Sequence, residues 1–186
     1  MTENFMKSAL TSLPLILALI VVSFCSVTDL LWRRIPNVVT LPTVGIGLLL
    51  GSILGGWKGL GLAAAGMGAG FVLMIVPYYL GGMGAGDVKL MAAIGALLGL
   101  SPIIQVFLYT TLIGGVIAVI SALSRGTLKR ALRNIATWTT SLALQRLGGL
   151  RGGLTKTELE QTAGTIPYGV AIALGLIAYL SFGRVI

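Results

Sequence analysis

The chain has 186 residues, of which 56% are hydrophobic and only 10% are charged, and its mean hydropathy is +0.99. A water-soluble domain of this length does not have such a composition, so the sequence indicates an integral membrane protein. The absence of histidine and the presence of one cysteine exclude Ser-His and Cys-His catalytic pairs, HExxH and CxxC zinc sites, and an intrachain disulfide. The formal charge of +8 lies in loops between apolar segments, which is typical of contact with anionic lipid rather than nucleic acid.

Six apolar segments follow one another along the chain, at about residues 10–28, 38–54, 60–80, 88–100, 103–123 and 165–183. A helix needs about 20 residues to cross the hydrocarbon of a bilayer. We therefore predict an all-α, polytopic membrane protein with six transmembrane helices in one membrane-embedded domain, residues 1–186. The fourth segment is short and would cover only about 20 Å as a helix. Either it begins inside the membrane plane or the bilayer thins around it.

The distribution of Lys and Arg predicts the orientation. With the N-terminus outside, ten of these residues lie in inner loops and three lie on the outer side, which agrees with the positive-inside rule. Asp29, at the end of the first helix, and Asp87, at the start of the fourth, then both lie at the cytoplasmic face of the plasma (inner) membrane. The first segment lacks a strongly basic n-region, so we interpret it as a retained helix rather than a cleaved signal.

Residues 124–163 form the one long polar stretch of the sequence. Apolar residues recur in it at helical spacing, with basic residues on the opposite face: Leu128, Leu132, Ile135, Trp138 and Leu142 against Lys129, Arg130 and Arg133. This pattern predicts an amphipathic helix lying on the inner leaflet. A docking surface for substrate is the alternative interpretation.

Glycines recur at four-residue spacing in three of the apolar segments, as Gly47-xxx-Gly51-xxx-Gly55, Gly66-xxx-Gly70 and Gly95-xxx-Gly99. Small residues on one face of a helix allow a neighbouring helix to approach closely. We therefore predict that these glycines serve helix packing rather than chemistry.

The first acidic motif begins at Asp29 and continues through Arg33 and Arg34 to Ile35-Pro36-Asn37. Pro36 disfavours helical geometry at the residue before it and is well suited to the first turn of the next helix. A carboxylate beside hydrocarbon is energetically costly, and such a residue is by default a candidate for function. The alternative is that Asp29 only pairs with Arg33, four residues further on.

The second acidic motif is Gly84-Ala85-Gly86-Asp87-Val88-Lys89. Its first three residues belong to a glycine-rich turn at residues 81–86, and Asp87 follows that turn directly. Glycine removes side-chain bulk and allows positive φ, so a substrate strand could lie close to this backbone. The alternative is a simple turn in which Asp87 is the N-cap of the next helix.

Asp29 and Asp87 are the only acids near a membrane face, and together they predict an aspartic dyad. Two neighbouring carboxylates do not both ionise easily, so such a pair shares one proton. The ionised member can take a proton from a water molecule that attacks a peptide carbonyl, and the protonated member can donate to the oxyanion or to the leaving amine. The proton belongs to the pair, so the two roles stay unassigned. We predict neither a metal nor a cofactor.

The order Asp…Arg-Ile-Pro-Asn, then Gly-x-Gly-Asp-x-Lys about 50 residues later, then Ile166-Pro167-Tyr168-Gly169 resembles the type IV prepilin peptidases, which are polytopic aspartic proteases of the GxGD type. The resemblance implies that Asp29 and Asp87 are the catalytic pair. It also implies cleavage of short basic leaders from prepilins at the cytoplasmic face, just before a hydrophobic helix and with no cofactor. The substrates of the family usually carry a glutamate shortly after the cut, and Arg33, Arg34 and Lys89 are the candidates to bind it.

The chain departs from the long bifunctional members of that family, which carry a CxxC-containing insertion and also N-methylate the new terminus. Only about eight residues separate Asp29 from the second helix, so the chain is similar to the short Flp/Tad-type branch. Three alternatives remain open: an archaeal-type preflagellin peptidase, a small ion or proton transporter that uses Asp29 and Asp87, and a non-catalytic assembly scaffold. The oligomeric state is left open.

Overall fold

The computed structural model describes residues 2–79, 83–124, 126 and 168–183, with side chains described from residue 12 onward. All regular structure in these ranges is α-helical, which confirms the predicted all-α class. The helices are α1 (Thr2–Trp32), α2 (Asn37–Tyr79), α3 (Ala85–Leu98), α4 (Leu100–Ser124) and α5 (Tyr168–Phe182). The amphipathic helix predicted within residues 124–163 lies almost wholly outside the described residues.

Helix α2 folds back on itself at Gly56, which has φ 57° and ψ −144°. A Cβ atom on Gly51 would lie only 2.8 Å from the Cβ of Ala63, whereas residues 12 apart in a straight helix are separated by about 18 Å. The left-handed backbone that only glycine adopts readily therefore divides α2 into two antiparallel arms, residues 37–55 and 57–79. These arms correspond to the second and third predicted segments.

Within the described part of the chain, three helical stretches are long and apolar enough to cross a membrane: Ser12–Trp32, Asn37–Tyr79 and Leu100–Ser124. Helix α5 is a shorter apolar helix. Large apolar side chains are exposed along all of these helices, among them Ile20, Trp57 and Leu112. Exposed apolar surface on this scale is unfavourable in water and is expected of helices that face lipid.

Helix α3 is the most buried of the described helices. Leu90, Met91 and Ile94 have no exposed surface. The backbones of α2 and α3 are in direct contact at two glycines of α2. A Cβ on Gly66 would collide with the backbone of Gly95, and a Cβ on Gly70 would collide with the backbone of Met91. The glycines therefore place α3 in the centre of the molecule, with its N-terminal turn, which carries Asp87, at one end.

The predicted packing role of the spaced glycines is confirmed at Gly47, Gly51, Gly66, Gly70 and Gly95, each of which lies against a neighbouring helix or arm. The same prediction is wrong for Gly55, where a Cβ would have nothing within 4 Å. Gly55 precedes the reversal at Gly56, where the two arms separate.

Helix α5 packs against α1 and α4. Gly175 leaves no room for a Cβ beside Thr110 of α4, and Gly114 of α4 leaves room for the ring of Tyr168. Toward α1, the apolar core includes Val22 and the fully buried, unpaired Cys25. The N-terminus of α5 thereby comes to lie beside the C-terminal part of α1.

Candidate active site

The C-terminal end of α1 carries the first acidic motif. The Arg33 N–H donates to the Asp29 carbonyl at 2.9 Å, and Arg33 has φ 51°, so the chain leaves the helix in a left-handed residue. Helix α2 begins directly after Pro36, whose carbonyl accepts from the Val39 N–H at 3.1 Å. The predicted break at Ile35-Pro36 is confirmed.

Asp29 is 8% exposed and contacts the first turn of α5. Its Oδ2 accepts a hydrogen bond of 2.9 Å from the Gly169 N–H. The first N–H groups of a helix have no partner within the helix, so this carboxylate satisfies one of them. This contact joins two residues that are 140 positions apart in the chain.

Asp87 lies in the first turn of α3 and is 6% exposed. Gly84 is the N-cap, and Asp87 is the third helical residue, whose Oδ2 accepts from the Gly84 N–H at 2.9 Å. The Asp87 N–H donates to the Gly84 carbonyl at 3.2 Å. The interpretation of Asp87 as an N-cap is therefore wrong, and the helix begins at Ala85, three residues before the predicted segment. This reciprocal pairing between Gly84 and Asp87 favours the earlier start.

The second carboxylate oxygen of Asp87 is buried and accepts no hydrogen bond within the described part of the chain. Asp87 precedes the fourth apolar segment, and burial raises the pKa of its carboxyl to about 7. The Gly84 N–H opposes this rise, and the nearby Asp29 carboxyl adds to it.

Asp29 and Asp87 line one cavity of about 350 Å³ between the ends of α1, α2 and α3. Its lining contains every predicted site residue except Pro36, together with Ile35 and Ala85: Asp29, Arg33, Arg34, Asn37, Gly84, Gly86, Asp87 and Lys89. A water molecule occupies about 30 Å³ in the liquid, so the cavity has room for a water and part of a peptide. No group of three His, Cys, Asp or Glu residues able to hold a metal ion occurs in the described ranges.

Lys89 connects the two acidic motifs. Its Nζ donates a hydrogen bond of 2.9 Å to Oδ1 of Asn37. Lys89 also lines a second, apolar cavity of about 390 Å³, which lies between the arms of α2 and α3. Lys89 thus borders both the polar cavity with the two aspartates and the apolar cavity.

The glycines of the second motif adopt ordinary backbone conformations. Gly84 has φ −85° and ψ 159°, and Gly86 lies within α3. The expectation that positive φ explains these two glycines is therefore wrong. Gly86 is required for packing, because its Cβ would lie 2.8 Å from the Cβ of Ile35. Gly81 and Gly82, in the same predicted turn, lie outside the described residues.

Two residues at the site were given no role from the sequence, namely Ser26 and Gly169. Ser26 Oγ lies 2.8 Å from the Gly169 carbonyl oxygen. The sequence does contain a pattern that indicates Ser26, because Val22, Ser26 and Asp29 follow the i, i+4, i+7 spacing of one helix face. Nothing in the local sequence indicates that the partner of this face is α5.

The model of the type IV leader peptidase family matches residues 16–119, a range that contains both aspartates. Three curated proteins named "Prepilin leader peptidase/N-methyltransferase" are similar to the chain. The Aeromonas salmonicida protein is 34% identical over 117 residues, which is 59% of this chain and 39% of the relative. The Bacillus subtilis protein is 32% identical over 120 residues, or 63% and 48%. The Neisseria gonorrhoeae protein is 36% identical over 101 residues, or 50% and 35%.

The matched regions thus span less than half the length of each of these relatives. No solved structure matches the chain. The family match covers more than half of the 186 residues and extends from α1 through most of α4. The chain therefore belongs to the type IV leader peptidase family.

Proposed function

We propose that the chain is a membrane aspartic endopeptidase that removes short basic leader peptides from type IV, Flp-like prepilins. The observation that carries this proposal is the position of Asp29 and Asp87. They come from motifs almost 60 residues apart and line the same polar cavity. Family membership and the names of the relatives support prepilins as the class of substrate.

The proposed reaction uses the two carboxyl groups as a pair that holds one proton near neutral pH. The ionised member takes a proton from water while the water oxygen bonds to the peptide carbonyl carbon. The protonated member donates its proton to the developing oxyanion, which becomes a hydroxyl. As the C–N bond breaks, the carboxyl that took the proton from water passes it to the amine, and the hydroxyl returns its proton to the other carboxylate. Burial is the largest cause of the raised pKa of Asp87, and the Asp29 carboxyl adds to it; both effects favour a protonated carboxyl beside an ionised one, as the proposed pair requires.

The proposed membrane arrangement has six spans, with the cavity facing the cytoplasm of the inner membrane. The reversal at Gly56 supports it, because each arm of α2 is then about as long as one hydrocarbon crossing. The excess of Lys and Arg in the proposed inner loops supports the orientation. These cations also make the anionic lipids of the inner leaflet proposed partners.

The function is tested by co-expressing the chain with a candidate Flp-like prepilin in cells that lack their own prepilin peptidase. We expect a faster-migrating pilin on a blot and, by mass spectrometry, a new N-terminus just before the apolar helix of the pilin. A known prepilin peptidase expressed in the same cells is the control. If that control cleaves the pilin while the chain leaves a panel of prepilins intact, the proposed function is wrong.

Gly86→Ala is expected to slow prepilin cleavage by at least about fivefold, whereas Gly84→Ala stays within about twofold of wild type. The new methyl at position 86 would lie 2.8 Å from the Cβ of Ile35, and overpacking of this kind costs about 1–3 kcal/mol. At position 84 the nearest side-chain atom, Oδ2 of Asp87, would lie 3.5 Å away, which is an ordinary contact. Initial rates per folded enzyme in detergent measure both effects.

Gly84→Ala is the matched control, because it adds the same methyl group two residues away and keeps the N–H that donates to Asp87. If Gly84→Ala is the more damaging of the two, close approach of substrate to the Gly84 backbone decides activity rather than the packing of Gly86 on Ile35.

Lys89→Gln is expected to weaken cleavage by about tenfold without abolishing it. We propose that Lys89 binds the acidic residue that follows the cut, and a charge pair at a partly desolvated site contributes about 1–4 kcal/mol. Lys58→Gln is the control, since Lys58 is an exposed lysine beside the reversal of α2, at the other end of the arms. Steady-state kinetics on a purified prepilin should show the loss mainly in KM.

Charge reversal separates substrate binding by Lys89 from its contact with Asn37. A Lys89→Glu enzyme should regain activity on a prepilin in which the glutamate after the cut is replaced by lysine. If no activity returns, direct pairing with the substrate is contradicted, and the role of Lys89 is to join α3 to the start of α2.

A further inference from the structure

Both main-chain polar atoms of Gly169 contact α1. The Gly169 N–H donates to Oδ2 of Asp29 at 2.9 Å, and the Gly169 carbonyl oxygen lies 2.8 Å from Oγ of Ser26. Ser26 and Asp29 are three residues apart and therefore share a face of the helix. One residue of α5 is thus held at two points of that face, and one of the two points is a carboxylate of the proposed dyad.

The hydroxyl of Ser26 has two acceptors within reach. Its Oγ lies 2.8 Å from the Val22 carbonyl oxygen as well, and a hydroxyl has only one proton to donate. A bond to the carbonyl four residues earlier is the common arrangement for serine in a helix. The Gly169 carbonyl is the additional acceptor, and it is the one that links two helices.

The fit between Gly169 and Asp29 depends on the absence of a side chain at residue 169. A Cβ there would lie 3.0 Å from Oδ2 of Asp29 and 3.1 Å from its Cβ. Such contacts require α5 to move away from α1 by a few tenths of an ångström. The hydrogen bond to Asp29 would lengthen with that movement.

We propose that Ser26 and Gly169 are positioning residues for the reaction: Ser26 orients the first turn of α5, and the Gly169 N–H then fixes Asp29 Oδ2. The other carboxylate oxygen of Asp29, Oδ1, then faces a water molecule in the cavity in this proposal. The inference rests on the proposed peptidase function. It adds to the dyad a third helix, α5, whose N-terminus sets the direction of one of the two acids.

Ser26→Ala is expected to lower kcat by about 10- to 100-fold with KM within about twofold of wild type, since a reacting group displaced by about 1 Å can lose two orders of magnitude in rate. Ser26→Thr retains a hydroxyl and should restore kcat to within about threefold of wild type. Thr43→Val is the control, because it removes a similarly buried hydroxyl that bonds to a carbonyl of its own helix, that of Val39.

Gly169→Ala tests the positioning of Asp29 by adding a methyl group that pushes α5 away from this carboxylate. It should also lower kcat by about tenfold or more. Gly175→Ala is the steric control on the same helix, because it crowds α5 against the side chain and backbone of Thr110 in α4 instead of against Asp29, and its contacts are the tighter of the two. Both variants are expected to lower the melting temperature. A loss of kcat per folded enzyme is expected only for Gly169→Ala, whereas a merely structural role would give Gly175→Ala, the tighter contact, at least as large a loss.

A spectroscopic measurement tests the contact without any substrate. The chain has only two aspartates, so labelling with aspartate enriched in ¹³C at the carboxyl gives two side-chain signals, and Asp29→Asn identifies one of them by its loss. Ser26→Ala should shift the Asp29 signal and leave the Asp87 signal in place.

The outcomes separate the two proposals. If the wild-type enzyme cleaves prepilin and both Ser26→Ala and Gly169→Ala keep its kcat, the positioning role is wrong. An Asp29 signal unmoved by Ser26→Ala also overturns it. If the wild-type enzyme cleaves no prepilin, the peptidase function is wrong, and the ¹³C signals still decide whether α5 holds Asp29.

Discussion

Asp29→Asn and Asp87→Asn are each expected to lower prepilin cleavage by about 100- to 10,000-fold, the usual contribution of a general acid or base. Asparagine has nearly the same shape as aspartate but takes no part in proton transfer at neutral pH. The amide oxygen can still accept from the Gly169 N–H at position 29 and from the Gly84 N–H at position 87. The variants should therefore insert and fold, and the loss is measured as cleaved prepilin per folded enzyme.

The glutamate variants extend this test. Asp29→Glu and Asp87→Glu keep the acid but displace it by about 1 Å or more, to which catalysis is sensitive. We expect both to be severely impaired, although each retains a titratable group. Cleavage close to the wild-type rate by either asparagine variant would contradict the peptidase mechanism. Full activity of the glutamate variants would show that the spacing of the dyad is not critical.

The break between α1 and α2 was predictable, because local chemistry determines it, although α1 ends at Trp32 rather than near residue 28. Pro36 disfavours helical geometry at the residue before it, and the break between α1 and α2 lies there. The start of α3 was placed three residues late. Apolar periodicity locates the buried part of a helix, whereas the N-terminal turn of α3 depends on the pairing of Gly84 with Asp87.

The contacts that complete the site were not predictable in the same way. The motif that ends in Gly169 could be recognised, but its contact with Asp29 joins residues 140 positions apart, and no local pattern encodes such a pairing. The glycines of the second motif illustrate the same limit. A glycine in a sequence is compatible with positive φ, with close substrate approach and with tight packing. Only the position of Ile35 beside Gly86 shows that packing is the reason for glycine at residue 86.

The distance of closest approach between α2 and α3 also decides where Asp87 lies, because Asp87 is carried on the first turn of α3. At the crossing, Gly66 faces the main chain of Gly95 and Gly99. Backbone atoms cannot move aside by changing rotamer, so any side chain at position 66 must displace a whole helix. Packing at this glycine and the geometry of the proposed dyad are therefore coupled.

Gly66→Ala is accordingly expected to destabilise the protein strongly and to reduce cleavage with it. A Cβ at residue 66 would lie 2.6 Å from the Gly99 carbonyl carbon and 2.8 Å from its Cα. Overpacking costs about 1–3 kcal/mol, and a collision with backbone atoms, which cannot change rotamer, belongs in the upper part of that range. This cost exceeds the gain of about 1 kcal/mol from replacing glycine by alanine in a helix. Gly68→Ala is the matched control, since a Cβ there has nothing within 4 Å, and only the gain in helix propensity applies.

The melting temperature in detergent should fall for Gly66→Ala and hold or rise for Gly68→Ala. Equal melting temperatures would mean that α2 and α3 can separate without cost, and the glycine contact would then not determine the position of Asp87.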